Sequence, residues 1–278
     1  MLSYRHSFHA GNFADVIKHI VLVEALEHFT RKDKPFDYID THAGAGLFNL
    51  ESSHALKLAE HANGIGKLEA GQFPELSRYF ETIAACNSSN RLRYYPGSPL
   101  IASQFLRRKD NAWLYELHKD DADRLRKNTE GNRRIKVICQ DGLKGVLAHL
   151  PPISRRALVL IDPSYEIKSD YEQVFKTVQS AHKRFATGTY GVWYPVVDRK
   201  RIAQLETSFI HSGIKNIQRF ELGLCADTDG SGMTSSGMIV VNPPWGLFDK
   251  MSRLLPRLVE VLGTDKGAFF KCDQLVSE

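Results

Sequence analysis

The stretch Leu158-Val159-Leu160-Ile161-Asp162-Pro163-Ser164-Tyr165 decides the fold. Its four consecutive apolar residues are typical of a strand that is buried on both faces of a parallel sheet. An acid, a proline and an aromatic residue follow at once. They therefore come at the carboxyl end of the strand, where open α/β sheets bind their ligands. The stretch predicts a parallel α/β sheet with a ligand site at its edge.

Strands and helices alternate along most of the chain. Apolar residues at helical spacing predict a helix over 14–30, and 36–40 is predicted as the first strand. Further strands are predicted at 112–116, 135–139, 157–161 and 189–194, followed in turn by helices at 120–128, 142–149, 170–185 and 198–211. Strands near 216–224 and 236–241 and a helix near 246–262 complete the pattern. This order is typical of a doubly wound, mostly parallel α/β sheet.

Residues 52–90 interrupt the alternation directly after the first strand. They look helical, lack strand patterns and end in the polar break Cys86-Asn87-Ser88-Ser89-Asn90. We therefore expect one large domain made of 1–51 and 91–278, with an inserted helical subdomain at 52–90.

Composition narrows the class of protein. The chain has 278 residues, of which 42% are hydrophobic, but no apolar stretch approaches the roughly 20 residues that span a bilayer. Cys86, Cys139, Cys225 and Cys272 are scattered, so neither disulfides nor a zinc site is predicted. The N-terminus lacks a signal-peptide pattern. We expect a cytoplasmic protein, a monomer, with no membrane segment and no metal.

The net charge is +5, which is compatible with a nucleic-acid partner. Short basic clusters recur at predicted helix ends and loops, namely Arg107-Arg108-Lys109, Arg133-Arg134, Arg155-Arg156, Lys183-Arg184 and Arg199-Lys200-Arg201. Each cluster by itself is typical of a solvated surface. Together they favour a polyanionic partner.

The residues after the 157–161 strand match a nucleobase-amine pattern. Methyltransferases that act on such amines use an acid or amide, a proline and an aromatic residue in this order. Asp162 would accept a hydrogen bond from the exocyclic amine, the Pro163 carbonyl would take the second amine proton, and Tyr165 would stack on the ring. Ser164 stands where a second proline is usual, which removes some rigidity from the loop. The alternative is a plain turn, because proline often ends a strand.

The loop Asp40-Thr41-His42-Ala43-Gly44-Ala45-Gly46 follows the first strand. It is neither the GxGxxG of nicotinamide enzymes nor a P-loop. Its acid-x-x-small-Gly-x-Gly pattern is the one that Rossmann-like S-adenosylmethionine sites use, with Gly44 allowing close approach of the ligand.

Two more acids support a nucleoside cofactor. Glu116 ends the second strand and is placed to accept from both ribose hydroxyls, and Asp141 follows the third strand and could hold the adenine amine. With Asp162, three successive strands each end in an acid. The sequence thus predicts a Rossmann-like, S-adenosylmethionine-dependent methyltransferase.

A rival motif, Asn242-Pro243-Pro244-Trp245, fits the amine-binding pattern better than the residues at Asp162. Strand order decides between them. The ligand crevice of a doubly wound sheet lies where the winding reverses, between the first and fourth strands. The strand before Asn242 comes last, so we interpret this motif as a structural turn or as a wall of the substrate cleft.

Long stretches of the chain are similar to the RlmJ family of bacterial 23S ribosomal RNA adenine-N6 methyltransferases. They include the opening 1–12 with Asp15 and Lys18-His19, the loop 40–46, Arg93-Tyr94-Tyr95-Pro96-Gly97-Ser98-Pro99-Leu100, the segment 183–190 and Ser236-Gly237-Met238-Ile239. The resemblance implies transfer of a methyl group from S-adenosylmethionine to one adenine of large-subunit RNA. The family has also been linked to bacterial use of external DNA as a nutrient.

The resemblance also implies site residues. It assigns to the cofactor or catalytic site His19, His42, Ser98, Glu116, Asp141, Gly142 and Asp162. It adds Tyr4 and His6 as part of a lid over the target base, and Lys18 as a catalytic residue. Without the resemblance, His19 would be taken as a structural histidine and Lys18 as a solvated charge.

Two alternative functions stay open at this point. A DNA adenine-N6 methyltransferase would use the same motif, because contacts to the RNA 2′-hydroxyl are not visible in a sequence. A noncatalytic nucleic-acid-binding protein, involved in the use of external DNA, is the other alternative. Binding of nucleic acid alone does not require Asp162 next to a cofactor loop, which disfavours this second alternative.

Overall fold

The structure, a computed structural model, describes residues 5–89, 91–227 and 232–278. The strands are β1 (Asp37–Asp40), β2 (Leu47–Asn49), β3 (Tyr94–Pro96), β4 (Asn111–Tyr115), β5 (Ile135–Ile138), β6 (Ala157–Ile161), β7 (Thr189–Val196), β8 (Ile217–Gly223), β9 (Ser235–Val241) and β10 (Phe269–Val276). The α-helices are α1 (Phe13–Arg31), α2 (Ser53–Leu58), α3 (Ser77–Ala84), α4 (Ser98–Ser103), α5 (Lys119–Asn128), α6 (Gly142–Gly145), α7 (Asp170–Arg184), α8 (Arg199–Ile210) and α9 (Leu247–Leu262).

The central sheet has the strand order β10-β8-β9-β7-β6-β1-β4-β5. From β1 the chain first winds outward through β4 and β5 and then returns to β6 and β7 on the other side of β1. These five strands are parallel. The doubly wound, mostly parallel sheet is therefore confirmed, and so is the reversal of winding between β1 and β6.

The sheet is covered by helices on both faces. Along β6, Leu158 and Leu160 belong to the hydrophobic core shared with α1 and α9, whereas Val159 and Ile161 belong to the core shared with α7 and α8. All five residues of β6 are buried. This is the environment that the continuous apolar run of this strand predicts.

Helix α1 is buried on nearly all sides. Its N-cap is Asn12, whose side-chain oxygen accepts from the amide of Asp15 at 2.9 Å. An amide oxygen at this position satisfies a backbone donor that the first helical turn leaves free. The cap fixes the start of a helix that carries Lys18 and His19 into the interior.

The last third of the sheet differs from the prediction. Strand β9 is antiparallel to both β7 and β8, and β10 is antiparallel to β8. Where the structure describes the connection from β8 to β9, at 224–227 and 232–234, it holds no helix, and a parallel pair needs a crossover of about a dozen residues or more. The edge strand β10, the two-stranded antiparallel sheet of β2 and β3, and the helix α4 are not predicted by the sequence.

The described part of the segment 52–90 is helical and contains no strand, as predicted. It consists of α2, α3 and short 3₁₀ helices at Glu60–Asn63, Ile65–Lys67 and Pro74–Leu76. Its apolar residues, among them Phe73 and Tyr79, belong to the same core as α1. Its status as an inserted subdomain stays a prediction.

Candidate active site

A cavity of about 690 Å³ opens at the carboxyl ends of β1, β4, β5 and β6. Small-molecule sites typically measure about 300–1,000 Å³. The cavity is lined by every predicted site residue within the described ranges, namely His6, Lys18, His19, His42, Gly44, Ser98, Glu116, Asp141, Gly142, Asp162, Pro163 and Tyr165. The predicted residue Tyr4 lies outside the described residues. The structure thus brings the candidates together, while the role of each stays a prediction.

The loop after β1 is shaped by the buried carboxylate of Asp40. It accepts hydrogen bonds from the Tyr38 hydroxyl at 2.8 Å, the Ser98 hydroxyl at 2.7 Å and the amide of His42 at 3.2 Å. Burial raises the pKa of Asp40, and these donors oppose that rise. Ser98 lines the cavity while its hydroxyl is bonded to Asp40. Asp40 therefore acts on the site by fixing the loop and Ser98.

Glu116 joins the end of β4 to the same loop. Its carboxylate accepts from the amide of Gly44 at 2.8 Å and from the amide of His118 at 2.7 Å. Burial raises the pKa of Glu116. A carboxylate has about four lone-pair positions, so Glu116 keeps acceptor capacity toward the cavity. Gly44 has a φ of +61°, a backbone conformation that suits glycine.

Asp141 and Gly142 form the turn after β5. Asp141 caps α6 by accepting from the amides of Leu143 at 3.0 Å and Lys144 at 3.3 Å. A Cβ at Gly142 would lie 2.1 Å from the carbonyl oxygen of Thr41. Only glycine allows this close approach of the two loops.

The cavity wall fits S-adenosylmethionine. It offers the Glu116 carboxylate as an acceptor for a ribose diol and the Asp141 carboxylate as an acceptor for an adenine amine. Gly44 and Gly142 also line the cavity. Each of these features matches the chemistry of the cofactor that the sequence predicts.

Two of the histidines that line the cavity, His19 and His42, are held neutral. The Nδ1 atom of His19 lies 2.8 Å from the Tyr95 hydroxyl, and the two rings stack at 5.5 Å. Burial lowers the pKa of His19 to about 3 and that of His42 to about 4. At neutral pH both imidazoles line the cavity as uncharged hydrogen-bonding groups.

A buried ionic network stands at the end of β6. The Lys18 ammonium lies 2.7 Å from Oδ2 of Asp162 and 2.8 Å from Oδ1 of Asp15. His6 places its Nε2 atom 2.9 Å from the other oxygen of Asp15. The side chain of Lys18 is only 5% exposed, so the alternative of a solvated charge is wrong.

The titration of Asp162 and Lys18 follows from this geometry. Burial raises the pKa of Asp162 to about 6, although Lys18 opposes the rise. The two carboxylates beside Lys18 raise its pKa above the usual value despite burial. At neutral pH, Lys18 is therefore a cation and Asp162 is mostly a carboxylate.

The aromatic residue of the motif is anchored to β7. The Tyr165 hydroxyl donates to the backbone carbonyl of Trp193 at 2.6 Å, and its ring lies 4.4 Å from that of Tyr171. The backbone of Tyr165 has a φ of +53°. Such strain persists only where the surroundings enforce it, and it is common in functional loops. The predicted stacking of Tyr165 on a base stays a prediction.

Sequence reasoning missed two contributors to the site. Asp15 links His6 to Lys18, and Trp193 lies with its ring 5.4 Å from the Lys18 ammonium. The spacing of Asn12 and Asp15 signals a helix start and gives no hint of an ion pair. Trp193 is one of many apolar residues in β7, and only the sheet order brings it to the site.

The rival motif, Asn242-Pro243-Pro244-Trp245, lies at the amino ends of the parallel strands, opposite the cavity. Because β9 is antiparallel to β7, its last residue Val241 pairs with Tyr190 near the start of β7. The Asn242 side chain donates to the carbonyls of Ala186 at 2.7 Å and Gly188 at 2.8 Å. These bonds fit the interpretation as a structural turn, and no residue of the motif lines the cavity around Asp162.

Two negative findings concern the described residues alone. Every helix in them is too short or too polar to cross a membrane. Within the same ranges, no group of three His, Cys, Asp or Glu side chains is arranged to hold a metal ion.

Comparisons with known proteins agree with one another. A family model described as "Ribosomal RNA large subunit methyltransferase D, RlmJ" matches residues 33–273. The protein named ribosomal RNA large subunit methyltransferase J from Haemophilus influenzae is 48% identical over 265 residues, or 94% of each chain. Its namesake from Escherichia coli is 48% identical over 260 residues, or 93% of each chain.

A solved structure supports the fold. Protein LPL1258 from Legionella pneumophila superposes with a TM-score of 0.86 at 34% identity, covering 96% of this chain and 98% of that chain. Since the family model and both relatives span nearly the whole sequence, this chain belongs to the RlmJ family of ribosomal RNA large subunit methyltransferases.

Proposed function

We propose that the protein transfers a methyl group from S-adenosylmethionine to the N6 amine of an adenine in 23S ribosomal RNA. The observation that supports this most is the position of Asp162 and Pro163. They lie at the carboxyl end of β6, in one cavity with the loop after β1. The relatives at 48% identity are named as methyltransferases of large-subunit ribosomal RNA, which supports the same substrate.

The cofactor would lie across the ends of β1, β4 and β5. S-adenosylmethionine, when bound, supplies an electrophilic methyl group on a sulfonium. Glu116 would accept hydrogen bonds from the ribose hydroxyls and Asp141 from the adenine amine. The neutral imidazoles of His19 and His42 would add contacts without introducing a positive charge next to the cationic ligand.

Asp162 would act on the target amine. An adenine amine is a poor nucleophile because its lone pair is delocalised into the ring. The Oδ1 atom of Asp162 and the Pro163 carbonyl would accept its two protons, which favours a pyramidal nitrogen and stabilises the positive charge that develops there. No donor from the described part of the chain occupies the Pro163 carbonyl.

Lys18 fits this mechanism by holding Asp162. Its ammonium bonds Oδ2, so Oδ1 is left for the amine. It also keeps the buried carboxylate ionised at neutral pH. Because the pKa of Asp162 is about 6, this carboxylate is basic enough to take up the proton that the methylated amine releases.

The target base must leave its stack to reach the cavity. Tyr165 would replace the lost stacking with its ring, which the bond to the Trp193 carbonyl holds in place. An anchored ring loses little freedom when a base stacks on it.

The remaining partners are part of the same proposal. The substrate would be 23S ribosomal RNA that is protein-free or early in assembly. The enzyme would act in the cytoplasm as a monomer and without a metal ion.

Substitution of Asp162 tests the function. Asp162→Ala should lower turnover by about 10²-fold or more, the scale for loss of one preorganised electrostatic contact, while the fold persists because Lys18 keeps Asp15 as its partner. Asp162→Asn should keep some activity, since its carbonyl still accepts from the amine. Asn242→Ala is the control and should retain measurable methyl transfer, because Asn242 does not line the cavity around Asp162.

The assay is transfer of labelled methyl groups to ribosomal RNA from a strain that lacks the gene, with DNA from the same strain in parallel. Labelling of DNA but not of RNA would contradict the proposed substrate. If Asn242→Ala abolished transfer while Asp162→Ala had no effect, the active site would be misplaced.

A further inference from the structure

A second cleft lies at the amino ends of the parallel strands, on the edge of the sheet opposite Asp162. It encloses about 340 Å³. We call it the basic cleft, and its lining consists of His28, Phe29, Lys32, Lys34, Arg155, Arg156, Thr187, Thr189, Asn242, Pro243 and Pro244. The cavity of the active site shares none of these residues.

The lining contains four cationic side chains and no acidic one. Neighbouring cations, by contrast, are neutralised. Lys109 pairs with Asp33, and Arg107 pairs with the buried Asp110 at 2.8 Å. Within the described residues, no carboxylate forms an ion pair with a cation of the cleft. The positive charge of the cleft is therefore uncompensated.

Two basic residues, Arg107 beside the cleft and Arg156 in its lining, stabilise the backbone around it. Arg107 donates to the carbonyls that follow α1, including those of Lys32 and Lys34 at 2.8 Å each. Arg156 donates to the carbonyl of Lys34 at 2.9 Å and to that of Phe29 at 3.0 Å. These bonds fix the backbone of the cleft. The exposed side chains of Lys32, Lys34 and Arg155 are free to meet a ligand.

The cations around His28 and an unpaired nitrogen atom of its ring indicate that the cleft binds an anion. Burial lowers the pKa of His28, and Arg31, Arg156 and Lys32 lower it further. The buried Nδ1 atom of His28 has no hydrogen-bond partner in the described part of the chain. Arg155 is held at a φ of +55°, a strained conformation that is common at ligand sites.

An exposed aromatic residue stands beside these charges. Trp245 directly follows Pro244 of the cleft and is 86% exposed. Exposed aromatic rings next to basic side chains are typical of surfaces that bind single-stranded nucleic acid. The cations contact phosphates there, and the rings stack on unpaired bases.

We propose that the basic cleft is a second RNA-contact site, where Lys32, Lys34 and Arg155 bind backbone phosphate and Trp245 stacks on an unpaired base. The identity of this RNA as ribosomal RNA rests on the proposed function. The cleft and the active site are separated by the length of the parallel strands, about 17 Å for the five residues of β6. Only an RNA that extends well beyond its target adenine can fill both.

The proposal predicts a loss of affinity that depends on RNA length. For single-stranded RNA, each phosphate contact adds about 0.7 to the slope of log affinity against log salt. Between 1 M and 0.1 M salt this gives about 5-fold per contact, so Lys34→Gln/Arg155→Gln should bind a long 23S fragment about 25-fold more weakly at 0.1 M. A short stem-loop that carries only the target adenine should bind this variant and the wild type alike.

A matched control removes the same charge elsewhere. Lys127→Gln/Arg253→Gln takes away one exposed lysine and one exposed arginine outside the cleft. Equal weakening by both double variants, or no weakening by the cleft variant, would overturn the proposal. Binding of S-adenosylhomocysteine and thermal denaturation check that both variants are folded.

Trp245 gives a readout that does not depend on the charge variants. Because Trp193 lines the active-site cavity, quenching by the short stem-loop serves as the baseline. Stacking of a base should quench Trp245 beyond this baseline when the long fragment binds, and Trp245→Phe should remove this difference while keeping affinity. Trp245→Ala should lower affinity. An unchanged Trp245 signal together with unchanged affinity of Trp245→Ala would exclude stacking.

These binding assays do not require methyl transfer. Failure of the wild type to methylate RNA would count against the proposed function alone. If Lys34→Gln/Arg155→Gln bound the long fragment as tightly as the wild type, this result would count against the second contact site alone.

Discussion

Replacement of Lys18 by methionine should change the pH dependence of the enzyme. In the wild type, the Lys18 ammonium lies between Asp15 and Asp162, 2.8 Å from the first and 2.7 Å from the second. Methionine fills a similar space without the charge. Asp15 keeps His6 and the amide of Gly11 as partners, each at 2.9 Å. The variant therefore removes the positive charge beside Asp162 and leaves the rest of the network in place.

The magnitude follows from the pKa of Asp162. Since this pKa is about 6, the carboxylate is present above pH 6 and is lost as the pH falls through that value. About nine tenths of the enzyme is ionised at Asp162 at pH 7. Removal of a close opposite charge raises the pKa of a carboxylate, so the acid limb of the pH profile, where activity falls with falling pH, moves to higher pH by about one to three pH units. At pH 7, kcat/KM of Lys18→Met should then fall by about 2-fold to 100-fold and recover in alkaline solution.

The assay is kcat/KM for ribosomal RNA between pH 5 and pH 9.5, with affinity for S-adenosylhomocysteine and thermal denaturation as checks on folding. Asp162→Asn, which has no titrating group at this position, should lack the acid limb. A uniform drop of Lys18→Met at every pH would refute the reasoning, because Lys18 would then act by itself rather than through Asp162. An unchanged profile would refute the coupling of the two residues.

Three further outcomes are expected. Glu116→Ala and Asp141→Ala should each weaken the binding of S-adenosylhomocysteine by about 1–3 kcal/mol in calorimetry, which is the loss expected for hydrogen bonds to charged groups. NAD should not bind. Unchanged affinity in both variants would contradict the assignment of Glu116 and Asp141 to the cofactor. Gly142→Ala should lower the midpoint of thermal unfolding and weaken the binding of S-adenosylhomocysteine, because its Cβ would lie 2.1 Å from the backbone oxygen of Thr41. A variant as stable as the wild type would show that the loops after β1 and β5 separate freely. Arg107→Gln should lower the free energy of unfolding in urea by about 1.5–3 kcal/mol, since the buried carboxylate of Asp110 then keeps only the amides of Phe36 and Arg107 as donors. A loss below about 1 kcal/mol would contradict this structural role.

The sequence predicts the parallel half of the fold well, for a physical reason. A parallel strand such as β6 is buried on both faces, so its apolar run is continuous and easy to identify. The direction of the strand then places whatever follows it at the carboxyl edge. Glu116, Asp141 and Asp162 follow three strands of this parallel half, and the structure places all of them in one cavity.

Elements without such a pattern could not be predicted. Strand β10 is an edge strand whose residues are only partly buried, with Lys271 and Asp273 among them. Strands β2 and β3 have three residues each, too few for any periodicity to emerge. Their positions depend on partners that lie far away in the chain.

The partners of buried charges are equally invisible in the sequence. Lys18 lies on an apolar helix and meets Asp162, a residue 144 positions away. Arg107 looks like part of a basic surface cluster, but its guanidinium donates to Asp110 and to carbonyls after α1. A cation that forms an ion pair in the interior and one that faces solvent have the same local sequence. Only the fold separates Arg107 from the exposed Arg155.

The two proline motifs show why a pattern alone does not locate an active site. Asn242-Pro243-Pro244-Trp245 matches the amine-binding pattern more closely than Asp162-Pro163-Ser164-Tyr165, yet it follows β9, the strand that runs against its neighbours. Reversal of one strand moves the residues after it to the opposite edge, away from the loop after β1. There, the side-chain amide of Asn242 donates hydrogen bonds to the carbonyls of Ala186 and Gly188. An amine-binding motif needs the cofactor loop beside it, so strand direction, rather than similarity to the motif, favours Asp162 as the proposed amine-binding residue.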